Sequence, residues 1–163
     1  MKDAIKIYTD GAAKGNPGPA GWAAVIIFNN DEWKVESEKL KVMEIGGRVD
    51  HATNNQMELT AAIEALKYAK QNKLDLPIEI VSDSKYVILG ITEWIAGWMQ
   101  NGWRNAAKKP VVNRELWEEL YALNEEIKPK WSYVKGHFED KYNDRADLIA
   151  TSFADDEPIK LKK

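Results

Sequence analysis

The chain contains no cysteine in 163 residues, which excludes disulfides, thiol nucleophiles, iron–sulfur clusters and cysteine-ligated zinc. Histidine is scarce as well: His51 and His137 alone cannot build a histidine-rich metal centre, so any metal here must be held by oxygen. No apolar run approaches the roughly 20 residues of a membrane-spanning helix. Met1-Lys2-Asp3 leads straight into a strand-like run instead of the apolar stretch of a secretory signal. A cytoplasmic protein with no membrane association is the expectation. An excess of cations is also missing, since the net charge is -3, and proteins that grip phosphate backbones usually carry surplus Lys and Arg.

Distribution qualifies that last absence. From Trp94 to Arg114 there is no acidic residue, and the segment carries Arg104, Lys108, Lys109 and Arg114 together with Trp94, Trp98 and Trp103. Aromatics interleaved with cations suit a nucleic-acid backbone and its sugars. Trp94 and Trp98 stand four residues apart, which equally fits a helical stripe packed on a core.

The periodicity predicts a mixed α/β fold. Ile5 and Ile7 alternate with Lys6 and Tyr8 in a first strand ending at Asp10, Gly21 to Phe28 forms a second, and a third falls within Glu32 to Glu44, after a hairpin turn at Asn29-Asn30-Asp31. From Thr53 the period becomes helical, through Leu59, Ala62, Ile63, Leu66 and Ala69, with Thr53-Asn54-Asn55-Gln56 reading as a capping box. Pro77 to Ser82 is a fourth strand and Lys130 to Lys135 a fifth. Between them lie short helices from about Ser84 and Thr92, and a longer one along Leu116, Trp117, Leu120, Leu123 and Ile127 with Asn113 as its N-cap. A last helix runs from about Asn143 to Ala154, and Asp155 to Lys163 reads as a polar tail. A three-strand antiparallel meander followed by two parallel strands gives one five-stranded mixed sheet flanked by helices.

Two carboxylates, Asp10 and Asp83, stand where strands give way to turns, and two more, Glu58 and Asp147, sit on helical segments. Ligands of such sheets gather outside the strand C-termini, near the point where the chain reverses direction. Four acids in one place repel one another unless divalent cations compensate them, so the set makes sense as a Mg²⁺ site, with Mn²⁺ a possible substitute. Two ions balance four charges, and hard oxygen ligands suit phosphoryl chemistry. The Gly15-Asn16-Pro17-Gly18 segment matches neither phosphate-loop nor dinucleotide patterns. There is no Gly-x-Ser-x-Gly nucleophile elbow either.

Taken in order, Tyr8-Thr9-Asp10-Gly11, Gly15-Asn16-Pro17-Gly18-Pro19, Thr53-Asn54-Asn55-Gln56-Met57-Glu58-Leu59, Ser82-Asp83-Ser84-Lys85-Tyr86-Val87, Val134-Lys135-Gly136-His137 and Asn143-Asp144-Arg145-Ala146-Asp147 resemble type 1 ribonuclease H. The resemblance extends from Ile5 to Ala150. It implies the ribonuclease H-like fold, with residues 1–154 as the catalytic domain, and an endonuclease that hydrolyses the RNA strand of RNA–DNA hybrids, leaving 5′-phosphate and 3′-hydroxyl ends. It also implies two Mg²⁺ ions on Asp10, Glu58, Asp83 and Asp147, with His137 moving protons or aiding product release. Asn16, Asn54 and Asn55 would face RNA sugars, Tyr86 and Trp94 would pack on DNA sugars, and Thr53 and Asn113 would hold a DNA phosphate. Asn16 also reads as a turn residue, Thr53 as half of a capping box and Asn113 as an N-cap, and each can serve both purposes. A catalytically silent binding module of the same fold is the alternative, and a monomer is the default state.

Two departures from the family pattern bear on affinity. His51 stands where many members carry an arginine in the phosphate pocket, and Met99-Gln100-Asn101 follows Trp98 where lysines are usual. Both predict weaker substrate binding with a shallower salt dependence.

Overall fold

The computed structural model describes residues 4–29, 41–135 and 140–163. Its strands are β1 (Ala4–Ala13), β2 (Gly18–Asn29), β3 (Lys41–Ala52), β4 (Ile78–Ser82) and β5 (Lys130–Tyr133). Helix α1 (Asn54–Gln71) follows β3, α2 (Lys85–Leu89) follows β4 and continues through a π-helical turn at Gly90–Trp94 into α3 (Ile95–Gln100), α4 (Arg114–Ile127) precedes β5, and α5 (Lys141–Ala154) comes last.

The sheet runs β3-β2-β1-β4-β5. β2 is antiparallel to both β1 and β3, while β4 is parallel to both β1 and β5, as the meander-plus-parallel reading requires. Strand alternation sends successive side chains to opposite faces. Ile5, Ile7, Ala24 and Ile26 thus meet Leu59, Ile63 and Leu66 of α1 and Trp117 and Leu120 of α4. Tyr8, Ala23, Val25 and Ile27 meet Ala146, Ile149 and Ala150 of α5 on the other face.

Several boundaries differ from the sequence reading. β1 does not end at Asp10: its parallel pairing with β4 stops at Thr9 and Ser82, but antiparallel pairing with β2 carries it on to Ala13 opposite Ala20. A neighbouring strand supplies hydrogen bonds that a glycine-containing stretch cannot secure alone. The third strand lies at Lys41–Ala52, largely beyond the Glu32 to Glu44 window, because its register is set by pairing with β2 and not by its own mixed pattern. The expected turn at Asn30-Asp31 falls outside the described residues. The helix expected from Thr92 is no separate element, since Gly90 lets the chain run on beneath Trp117: a Cβ at Gly90 would lie 2.0 Å from the indole. The last helix begins two residues early, with Asp140 accepting from the backbone of Tyr142 and Asn143.

The residues read as a polar tail are tethered. The N–H of Glu44 donates to the Lys162 carbonyl at 2.8 Å, which covers part of the outward edge of β3, and Ile159 and Leu161 pack on the α5-side core.

Candidate active site

Glycine at position 11 determines how close α1 comes to the sheet. A Cβ there would lie 2.5 Å from the Glu58 backbone nitrogen, so only glycine lets the second turn of the helix rest on β1. The start of α1 is fixed by the expected capping box: the Gln56 N–H donates to Thr53 Oγ1 at 3.1 Å and the Thr53 N–H donates to Gln56 Oε1 at 2.9 Å. Asp83 follows the last residue of β4, and the turn holding it is pinned by the Ser84 N–H on Ser82 Oγ and by Ser84 Oγ capping the Val87 N–H.

These constraints bring Asp10, Glu58 and Asp83 together, with one carboxylate oxygen of each lying within 4.8 Å of the others. Asp10 is 5% exposed. Its carboxyl is pushed far above the usual range by burial first, then by the negative charges of Glu58 and Asp83. Burial likewise raises Glu58, opposed by a hydrogen bond with Asp10 and reinforced by the charge of Asp83. Glu58 Oε1 is buried with no hydrogen-bond partner among the described residues. An orphaned anionic oxygen is costly without a cation, and three hard oxygen donors at this spacing fit a small divalent ion.

Asp147 lies outside that trio, exposed on α5, yet its charge acts on Asp10. His137 falls outside the described residues, and His51 is exposed on β3.

The residues expected to face substrate surround the start of α1 and the aromatic helix. Asn54 donates its N–H to Asn16 Oδ1 at 3.0 Å, tying the Gly15-Asn16 turn to α1, and Asn55 beside it is exposed. Asn113 occupies the N-cap position of α4 but does not cap it: its backbone is left-handed (φ 64°, ψ 29°), a conformation that asparagine tolerates better than most residues. Its amide accepts from Gln56 Nε2 and donates to the Tyr86 hydroxyl, both at 3.2 Å, and that hydroxyl also accepts from Trp117 Nε1. The two tryptophans in question divide. Trp94 is 39% exposed with its ring against Tyr86, whereas Trp98 packs on buried Trp117.

Not legible in the sequence is the outer half of Gln56, which joins the α1 cap to Asn113 beside the aromatic helix, because the capping box already accounts for a glutamine at that position. Nor is the ion pair of Arg145 with Glu44, 101 residues away. Within the basic segment, Arg104 donates to the Lys108 carbonyl, and Arg114 lies over the Trp103 ring and 3.5 Å from Glu118.

A mixed sheet in this strand order, with acids beside the ends of its two central parallel strands and a further acid on the helix behind them, defines the ribonuclease H-like class of folds. The RNase H family model matches residues 2–155. A ribonuclease H of Thermosynechococcus vestitus is 49% identical over 156 residues, 96% of this chain and 92% of that protein. Among solved structures, LC9-RNase H1, a type 1 RNase H with the type 2 active-site motif, has a TM-score of 0.83 at 22% identity over 99% of this chain and 76% of that one, a likeness of fold. LC11-RNase H1, solved in complex with RNA/DNA hybrid, has a TM-score of 0.63 at 28% identity, over 93% of this chain and 97% of that one. The chain belongs to the RNase H family. It is an endonuclease of that class, a hydrolase acting on RNA.

Proposed function

We propose that the protein hydrolyses the RNA strand of RNA–DNA hybrids with two Mg²⁺ ions, Mn²⁺ serving as a substitute, and leaves 5′-phosphate and 3′-hydroxyl ends. The carrying observation is the convergence of Asp10, Glu58 and Asp83, with a buried and unpartnered Glu58 oxygen among them. These three, with Asp147, would hold the ions. Bound there, divalent cations supply Lewis acidity and positive charge for water to attack the scissile phosphorus as the P–O3′ bond breaks. The carboxylates orient what they hold and keep the site anionic. His137 would move a proton, delivering it to the departing O3′, or aid product release.

Hybrid selectivity follows from two readers in one frame. Asn16, Asn54 and Asn55 present amides to the RNA 2′-hydroxyls, the groups that distinguish RNA from DNA. Exposed Trp94, backed by Tyr86, offers a flat surface to deoxyribose, while Thr53 and Asn113 would hold a DNA phosphate. With Met99-Gln100-Asn101 after Trp98 in place of lysines, and Arg114 paired with Glu118, few counterions are released on binding, so the slope of log affinity against log salt is shallow. Among the described residues no helix is long and apolar enough to cross a membrane; a cytoplasmic address, a monomeric state and a catalytic domain over residues 1–154 belong to the same proposal.

The test is cleavage of a labelled RNA–DNA hybrid in Mg²⁺, with RNA–RNA and DNA–DNA duplexes as controls. Cutting of the hybrid's RNA alone, lost in Asp10→Asn, is expected. Hybrid binding without cleavage in either Mg²⁺ or Mn²⁺ would instead identify a silent binding module.

A further inference from the structure

Helix α5 carries Asp147, and what fixes the roll of that helix lies on its far flank. At 100° per residue, Arg145 and Asp147 project about 100° to either side of Ala146. Ala146, Ile149 and Ala150 are fully buried against the sheet. Gly21 of β2 lies directly beneath the helix, where a Cβ would come 2.2 Å from the Ala150 carbonyl. The helix therefore sits over β2, with Arg145 turned toward β3 and Asp147 toward β1 and Asp10.

The Arg145 side is locked. Its guanidinium makes two hydrogen bonds to the Glu44 carboxylate, Nε to Oε2 at 2.7 Å and Nη2 to Oε1 at 2.9 Å, and Nη2 also donates to the Lys160 carbonyl at 3.1 Å. The tail closes over the pair. The Lys162 N–H donates to Glu44 Oε1 at 2.8 Å, and the Glu44 N–H donates back to the Lys162 carbonyl at 2.8 Å. The Glu44 side chain is 1% exposed. A second hold lies at the other end of the helix, where Arg48 Nη1 donates to the carbonyls of Phe153 and Ala154 at 3.0 and 2.8 Å. Apolar packing alone leaves a helix free to roll slightly about its axis, whereas a bidentate guanidinium–carboxylate pair has a fixed geometry.

We infer that Glu44, Arg145 and tail residues 160–162 form a positioning clamp that sets the roll of α5 and thereby the place of Asp147 relative to Asp10. The effect on metal binding rests on the proposed function; the effect on Asp147 itself does not. With side chains reaching about 5–6 Å from a helix axis, a roll of roughly 10° carries the Asp147 carboxylate about 1 Å. Shifts of that size matter at a preorganised site. Glu44 and Arg145 are thus positioning residues for the fourth carboxylate, and the tail beyond residue 154 supports the catalytic domain from outside it.

The decisive variant exchanges the clamp for apolar packing, as Glu44→Leu/Arg145→Leu, because replacing a buried ion pair with hydrophobic residues commonly preserves stability while removing its directional bonds. Glu44→Gln, which keeps the volume and one acceptor, is made in parallel. Each is read by denaturant midpoint, by the ¹³C shift of the Asp147 carboxylate in metal-free protein, and by Mn²⁺ titration without substrate. The expected result for the double variant is a near-native midpoint, a displaced Asp147 resonance and Mn²⁺ affinity weakened roughly tenfold, the scale of outer ligand-supporting groups. A stable double variant with native Asp147 resonance and native Mn²⁺ affinity would overturn the clamp. Should the double variant not fold, Glu44→Gln decides by the same two readouts. If the wild-type protein takes up no Mn²⁺, the metal reading fails and the Asp147 resonance alone judges the clamp.

Discussion

On one flank of α5 the buried carboxylate of Glu44 meets a guanidinium and a backbone N–H; on the other, Asp10 and Glu58 meet each other and Asp83. Burial works against the charged form in both places. At Glu44 the hydrogen bonds from Arg145 and the Lys162 N–H outweigh it, and the pKa falls. At Asp10 neighbouring negative charge adds to it, and the pKa rises. The same functional group is a stabilising element where the chain sets a cation beside it and a destabilising one where its neighbours are other carboxylates. That difference separates structural ion pairs from sites built to capture cations.

The largest expected effect strikes the side where carboxylates crowd together. Asp10→Asn should lower hybrid cleavage by roughly a thousandfold, since a metal contributes several kcal/mol to the transition state and each 1.4 kcal/mol is about tenfold. The same change should stabilise the metal-free protein by about 1 kcal/mol or more, as it removes a buried carboxyl that folding forces to stay protonated. Lower activity with a higher melting temperature in EDTA would establish the contrast; a lower melting temperature would break it.

On the partnered side, Arg145→Ala should cost about 3 kcal/mol in urea denaturation, because Glu44 would be left buried without its cation. A loss well under 1 kcal/mol would show that the Lys162 N–H suffices for Glu44.

Stability against pH discriminates next, since the two sites have opposite signs. A raised folded pKa gives stability that is complete below the ordinary carboxylate range and is lost as pH rises through the folded value, about 7 for Glu58. A lowered one, as at Glu44, gives stability that is present above that range and is lost as pH falls through the folded value. In EDTA the folding free energy should therefore decline from about pH 4.3 through 7 and, because Asp10 is held higher still, onward above 7, by at most about 1.4 kcal/mol per pH unit for each proton released. Saturating Mg²⁺ should flatten that slope and leave the acid-side loss from Glu44 in place. An equal slope with and without Mg²⁺ would contradict a cation site at the trio.

The smallest effect belongs to a neutral network that gives the charged sites a reference. Tyr86→Phe removes the acceptor shared by Asn113 and Trp117 and should cost about 1 kcal/mol, with no change in the pH slope. A change in that slope would tie the aromatic helix to the acid trio.

Much of this was legible because it is local. The capping box at Thr53 and the alternation of Ile5 and Ile7 are written in neighbouring residues, and the order of short motifs places Asp10, Glu58 and Asp83 in one family frame. β3 was misplaced because its own pattern is ambiguous and its partner strand chooses the register. Asn113 was assigned a cap it does not make, since a left-handed backbone at that position follows from how the preceding segment returns to the core. The tail was read as polar although Ile159 and Leu161 alternate within it, because two apolar residues among lysines carry little weight until a surface is known to receive them.

The sequence by itself determined the element types, the acids and their family, because side-chain periodicity, capping chemistry and motif order act over a few residues. Only the tertiary structure decided that a strand outlasts its parallel neighbour at Asp10, that Gly11 lets α1 approach β1, and that Glu44 and Arg145, 101 residues apart, grip the helix bearing Asp147. Such pairings depend on how sheet and helix dock in space, and separation along the chain carries no record of that geometry.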